Sequence, residues 1–321
     1  MKISECFVAA VFMLAATGCG KEAGIAPAAS GKFELAVNVP FGMTKVEGTT
    51  DENAVNDLQV FVFDHNGMLE AYAHEDRNSV SLSCSSGNKE VVALVNERPL
   101  EDVVSLTDLK GRTSFLSDNS IGSMVMEGKE TIQMKASTSM SLPVRRLASR
   151  ITISGISVDF ELDQHDSQPF QIKSIYLLNV AGDRTYLTPT KPGLWHNKVF
   201  RESGTPPVAE INLTDVYVDA GTPYNVVHHL YCYPNPTSSD ESGGVWTPRK
   251  TRLVVEAELG GKKYYYPVTL KDLQSNTAYT VKMKITRPGS SQPDKPVDSQ
   301  TASFTVSVAP WEDGTVLNET I

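Results

Sequence analysis

The strongest constraint on this chain is a period-two apolar pattern that recurs near its two ends. Phe33-Glu34-Leu35-Ala36-Val37-Asn38-Val39-Pro40 alternates near the start, and Phe304-Thr305-Val306-Ser307-Val308-Ala309-Pro310 does so near the end. Successive side chains of a strand point to opposite faces. Phe33, Leu35, Val37 and Val39 therefore share one face, and Phe304, Val306 and Val308 share another. Each segment reads as a strand with one side for a core. The first is followed by Gly42-Met43-Thr44-Lys45-Val46, where a trypsin-like protease would cut after Lys45. Excision of the first strand would leave a vacancy that the last strand of another copy could fill, making the chain the subunit of a polymer. On pattern alone, two ordinary intramolecular strands is the preferred reading.

The N-terminus reads as a lipoprotein signal. Lys2 supplies a positive start, and Phe7 to Ala16 is apolar. That run is too short to span a bilayer and suits a signal peptide. Ala16-Thr17-Gly18-Cys19 resembles a bacterial lipobox, with Cys19 as the first residue after cleavage and the lipidated one. Ala16 stands where Leu is more usual, and an ordinary secretory signal with an incidental Cys is the alternative. Residues 20–32 are small and polar, as a tether should be. With Cys6 in the signal and Cys19 acylated, Cys84 and Cys232 remain. They are expected to be free, buried thiols, and no spacing suggests zinc.

The 321 residues are enough for two domains. The formal charge is −9 and stays acidic without residues 1–45. Such a surface does not suggest nucleic acid or anionic lipid as a partner.

The body reads as all-β. Leu58 to Phe63 is an apolar strand, Asp64-His65-Asn66-Gly67 a hairpin turn, and Met68 to Tyr72 the return. Ser79 to Ser83 alternates, and Val91 to Val95 is a short fully apolar strand. Leu106 to Leu116 predicts a short helix capped by Ser105 or Thr107. Val144-Arg145-Arg146-Leu147-Ala148-Ser149-Arg150 carries a basic cluster expected on a solvated strand face. Later strands are read at Ile172 to Leu178, Tyr224 to Tyr233, Leu253 to Leu259, Lys262 to Leu270 and Tyr279 to Ile285. This spacing predicts two tandem β-sandwiches of transthyretin-like, Greek-key type. The expected divisions are a signal at 1–18, a lipidated propeptide with the removable strand at 19–45, and sandwiches at 46–145 and 146–321. The polar loop from Arg287 to Ser303 is expected to let the last strand swing free.

Several segments together resemble the Bacteroidales fimbrillins, the subunits of type V pili. The carriers are Val55 to Asp64, Val92-Ala93-Leu94-Val95-Asn96, Val144 to Arg150 and Phe304 to Trp311, with the lipobox and the segment up to Lys45. The resemblance covers most of the chain and implies a mechanism. An outer-membrane lipoprotein precursor, carrying palmitate, loses its first strand to a trypsin-like protease, here between Lys45 and Val46. The C-terminal strand of a neighbour then fills the groove, giving an extracellular fimbria that supports adhesion. The implied partners are other fimbrial subunits, including anchor and tip proteins, the protease, and the membrane through lipid. Many relatives have Arg where this chain has Lys45, which leaves the protease open. The resemblance reverses the preference stated above and makes Phe304, Val306, Val308 and Trp311 the donor residues.

Burying Phe33, Leu35, Val37 and Val39 stabilises by roughly 6–12 kcal/mol, an upper bound by area arguments. A strand of matching pattern recovers most of that by β-augmentation, and a head-to-tail contact propagates into a filament. Trp311 either anchors the inserted strand or closes the second domain's own core. Thr315 to Ile321 is read as a further short strand.

No enzyme and no cofactor are expected. His228 and His229 point to opposite faces of a strand and cannot easily share a metal, and nothing resembles a nucleophile elbow or phosphate loop. Two rivals to the stalk reading remain. An anchor or tip fimbrillin would keep its first strand or have its last strand locked. A monomeric glycan-binding lipoprotein would display Tyr264-Tyr265-Tyr266 and Trp246.

Overall fold

The computed structural model describes residues 31–40, 50–198, 208–311 and 317–320. Runs rich in Val, Ile, Thr and aromatics become strands, and Gly, Asn and Asp turns separate them. The first half contains β1 (Lys32–Asn38), β2 (Leu58–Phe63), β3 (Leu69–Glu75), β4 (Ser79–Ser85), β5 (Gly87–Val95), the helix α1 (Leu106–Gly111), β6 (Thr113–Phe115), β7 (Met126–Met134), β8 (Thr138–Ser141) and β9 (Arg145–Arg146). The second half contains β10 (Ser149–Val158), the single-turn α2 (Asp163–Asp166), β11 (Phe170–Leu178), β12 (Val180–Ala181), β13 (Asp183–Thr185), β14 (Trp195–His196), β15 (Glu210–Val218) and β16 (His228–Cys232). It closes with β17 (Arg252–Leu259), β18 (Lys262–Thr269), β19 (Thr277–Ile285), β20 (Ala302–Pro310) and β21 (Leu317–Thr320).

Two sheets form the first half, one in the order β3-β2-β5-β7-β9 and one in the order β4-β1-β8. Their facing sides share a core built from Leu35, Val37, Val60, Val62, Val91, Ala93 and Leu82. The second half pairs β16-β10-β19-β20-β21 with β15-β11-β17-β18. The core of this half includes Ile151, Ile153, Ile175, Leu177, Leu253, Val255, Val281 and Phe304.

The fully apolar run Leu58 to Phe63 has a specific cause. Val60 and Val62 face the first core, whereas Phe61 and Phe63 face the other way, into an apolar cluster continuous with the second core. β5 behaves alike, with Val91 and Ala93 on one side and Val92 and Leu94 on the other. A strand covered on both faces loses its polar alternation. Gln59 is the polar exception, fully buried, and accepts from Leu100 N–H at 2.9 Å while donating to the Glu97 carbonyl at 2.7 Å.

The turns follow the sequence. Asp64 Oδ1 accepts from the N–H groups of Asn66 and Met68, and Gly67 takes φ +75. Gly260 and Gly261 turn β17 into β18 at φ +56 and +80. Ser105 caps α1, its Oγ accepting from Asp108 N–H at 3.1 Å. Cys84 and Cys232 are free and buried.

Three expectations are corrected. The basic cluster is not a solvated face: Arg145 is exposed, but Arg146 and Arg150 are buried at 4% and 7% exposure, because acidic and aromatic partners meet them there. The strand predicted from Tyr224 is regular only from His228, with Tyr224 held in an isolated bridge to Ile156. The loop after Arg287 is pinned rather than free. Arg287 pairs with Glu161 at 2.7 Å, Ser290 bridges Tyr265, and the buried Asp294 carboxylate lies 3.5 Å from Arg249.

Candidate strand-exchange site

β1 is the middle strand of its sheet. It pairs antiparallel with β4, from Lys32 opposite Ser85 to Asn38 opposite Ser79, and parallel with β8 from Leu35 to Asn38. Leu35, Val37 and Val39 are fully buried, and Phe33 is half-buried at the edge of the same core. Beyond the strand, Val39 N–H donates to the Asn78 carbonyl at 2.8 Å, and Leu142 N–H donates to the Asn38 carbonyl at 2.9 Å. Withdrawal of β1 would leave β4 and β8 each with an unpaired backbone edge and open an apolar slot between them. Cys84 lies opposite Phe33 in this register, and burial first, then the nearby Glu70, raises its thiol pKa. Cys19, Lys45 and Val46 lie outside the described residues.

β20 lies between β19 and β21. It pairs with β19 from Thr277 opposite Pro310 to Ile285 opposite Ala302, and with β21 from Thr305 to Val308. Phe304 and Val306 are buried in the second core, with Val308 packed half-buried against it. Trp311 is 1% exposed and lies outside the apolar cluster of the second core.

Around Trp311 the sequence-distant residues form a closed polar and aromatic clamp. Glu52 sits in a 3-10 turn, Thr50–Asn53, and is itself buried. Its Oε2 accepts from Arg150 Nη1 at 2.6 Å and from Trp311 Nε1 at 3.0 Å, and its Oε1 accepts from Tyr231 Oη at 2.6 Å. Tyr231 stacks on Trp311 at 5.9 Å between ring centroids, and the Arg146 guanidinium lies 4.6 Å over the indole. Arg146 donates to the Glu52 carbonyl and to Asn276 Oδ1, and Trp311 N–H donates to the Asn276 carbonyl at 2.9 Å. Burial, and then the Glu52 carboxylate, push the Tyr231 phenol above its ordinary pKa. Sequence reasoning singled out Trp311, placed Arg146 and Arg150 on a solvated face, and missed Glu52 and Tyr231. An isolated acid 98 positions from its arginine carries no local pattern.

The remaining candidates do not converge on a site. His228 Nε2 lies 2.6 Å from Tyr224 Oη, whereas His229 Nδ1 meets Thr152 Oγ1 at 2.9 Å on the other face. Tyr266 is fully buried and Tyr264 packs beside it against the same core, leaving Tyr265 on the opposite face. Trp246 is half-buried, edge-on to Trp195, and donates to Asn179 Oδ1.

Residues 29–145, which contain β1 and both strands that flank it, match the family described as Major fimbrial subunit protein (FimA). This segment is similar to the FimA family. That family is one of structural fimbrial subunits, not of enzymes. Solved structures extend the likeness to the fold of almost the whole chain. The chain is similar to a fimbrilin (FimA) from Porphyromonas gingivalis, at 16% identity and a TM-score of 0.63, covering 87% of this chain and 97% of that one. A candidate cell adhesion protein from Bacteroides eggerthii gives 17% identity and a TM-score of 0.66 over 87% and 96%. The tip fimbrial protein Mfa3 from Porphyromonas gingivalis, with a C-terminal truncation, gives 12% and 0.55 over 88% and 100%. The likeness to these chains is one of all-β fold.

Proposed function

We propose that this chain is a subunit of a cell-surface fimbria, made as a lipoprotein acylated on Cys19, cut between Lys45 and Val46, and assembled by strand exchange at the β1 slot. The divisions that go with this reading are a signal at 1–18, a propeptide at 19–45, and sandwiches at 46–145 and 146–321. The observation that carries it is the position of β1. A strand whose apolar face is fully buried, between two other strands, precedes the segment that contains Lys45. One cut there would convert an intramolecular strand into a replaceable one.

The incoming strand needs three or four alternating apolar residues, and Phe304, Val306 and Val308 have that pattern. To donate, β20 must first leave β19 and carry Trp311 out of its clamp. The loss of its own buried face would offset much of what insertion gains. This favours a second reading: the chain accepts a strand but does not donate one, as a fimbrial tip would. β21 is held by backbone pairing over only four residues and costs less to detach, but it lacks the strict alternation of β1.

Mild trypsin digestion of the mature chain, followed by intact mass and unboiled gel electrophoresis, separates these readings. Loss of residues up to Lys45 with a ladder of oligomers that disappears on C-terminal truncation supports the stalk role. Cleavage without a ladder, with uptake of an added donor peptide, supports the tip role. Resistance at Lys45, or a cut chain that neither polymerises nor takes up a donor, removes strand exchange.

A further inference from the structure

A basic cleft of about 580 Å³ opens just past the end of β8, the strand that runs parallel to β1. Lys110, Lys129, Arg145, Arg146 and Arg184 line it, against the acids Glu127 and Glu130. This local excess of positive charge stands out on a chain of charge −9. Part of it is already neutralised. Lys129 pairs with Glu90 at 2.7 Å, Arg184 Nη2 pairs with Glu127 at 3.0 Å, and Arg146 is committed to the Trp311 clamp. Arg145 is exposed and Lys110 half-buried, and neither makes an ion pair among the described residues. Arg184 is only 7% exposed, and its Nε and Nη1 have no hydrogen-bond partner among the described residues. These two nitrogens are buried, so Arg184 adds positive potential to the cleft wall rather than open donors.

The location of the cleft identifies its occupant. β8 runs parallel to β1, so both strands end on the same side, where Leu142 N–H reaches the Asn38 carbonyl. The next residues of the chain, Pro143 to Arg146, line the cleft. A strand seated as β1 is seated, in the same direction, therefore delivers the residues after it to this cleft. Extended chain advances about 3.3 Å per residue, so groups two to four residues beyond the strand reach Arg145. In this chain the candidate donor strand and Trp311 are followed at once by Glu312-Asp313.

We infer that the cleft formed by Lys110, Arg145 and Arg184 receives the Glu312-Asp313 pair of a second copy of this chain, and so fixes the direction of the incoming strand parallel to β8. This inference rests on the strand-exchange reading in which the chain donates its own C-terminal strand. The acidic pair adds an orientation signal that the apolar alternation lacks, because a period-two pattern reads much the same in either direction. Electrostatic complementarity of this kind governs register and encounter more than bulk affinity.

The test uses the full mature chain, cut at Lys45, with excess fluorescent peptide of residues 302–321, followed by anisotropy. Arg145 and Lys110 are not part of the core, so Arg145→Glu with Lys110→Glu should leave folding intact. We expect the reversed protein, or a peptide with Glu312→Lys and Asp313→Lys, to bind about tenfold more weakly, with binding restored when both are reversed. Affinity of the unaltered pair should also fall as salt rises. Binding that is indifferent to both reversals overturns the docking inference and leaves strand exchange standing. No binding of the unaltered peptide to the cut chain overturns donation by this chain's own C-terminal strand, and the inference with it.

Discussion

Glu52 and Trp311 lie 259 residues apart in sequence, yet the indole N–H donates to the buried carboxylate at 3.0 Å. Glu52 follows the candidate cut by seven positions, and Trp311 directly follows the candidate donor strand, which ends at Pro310. The same carboxylate neutralises Arg150 and accepts from Tyr231. The clamp thus ties residues just past the candidate cut to the end of the candidate donor strand. Any model of assembly has to state what becomes of this tie.

The clamp should be worth a large share of the chain's stability. Glu52→Gln leaves Arg150 buried without its counter-charge, which is expected to cost about 3–5 kcal/mol. Trp311→Phe keeps a ring over Arg146 but deletes the N–H, and should cost about 1–3 kcal/mol. Urea unfolding followed by tryptophan-independent circular dichroism checks both. A Glu52→Gln variant as stable as the parent would show that the carboxylate is already compensated elsewhere.

Leu35→Ala separates the precursor from the processed chain. In the precursor, Leu35 is fully buried between β4 and β8, so truncation should destabilise by about 2–5 kcal/mol. If the proposed cleavage and strand replacement take place, the residue is gone, and variant and parent should yield products of equal stability. A variant that stays less stable after processing would mean that β1 is retained.

Cys84 is a built-in reporter for the slot. Its side chain is fully buried opposite Phe33, and its thiol is raised above the ordinary pKa by burial. Cys232 is buried in the second core, and burial pushes its thiol up to about 12. In the precursor neither should react with a maleimide at neutral pH. Release of β1 should expose Cys84 while Cys232 stays unreactive, and a donor strand should protect Cys84 again. Mass spectrometry of the labelled peptides reads the result; labelling of both thiols together would indicate general unfolding rather than an opened slot.

Much of this fold is legible in the sequence because its cause is local. Alternation at Phe33 to Val39, the Asp64 to Gly67 turn and the Gly260-Gly261 hairpin depend on residues within one strand or turn. The position of β1 between β4 and β8 is different, since pairing partners depend on the whole sheet, and periodicity supplies only the buried face. The clamp was the least legible part. Arg146 and Arg150 look like surface charges until Glu52, Tyr231, Asn276 and Trp311 are brought together by the tertiary fold. The pinned Arg287 to Ser303 loop failed for the same reason, because its polar composition gave no hint that Glu161, Tyr265 and Arg249 would hold it.

Glu97 gives a pH dependence with a definite sign. It is 2% exposed, and burial raises its carboxyl above the ordinary value of 4.5, against the opposing pull of Tyr186 and Ser114. A carboxyl raised on folding is bound to its proton more tightly in the native state. Its contribution to stability is complete below the ordinary value and is lost as pH rises through the raised one. Glu97→Gln holds the site neutral at every pH. The melting temperature of the variant should therefore gain on the parent as pH climbs from acid towards neutrality, with the difference smallest in acid. Parallel melting curves from pH 4 to pH 8, a range wide enough to cover ordinary and raised carboxyl values, would show that Glu97 is ionised without cost. Its hydrogen bonds would then outweigh its burial.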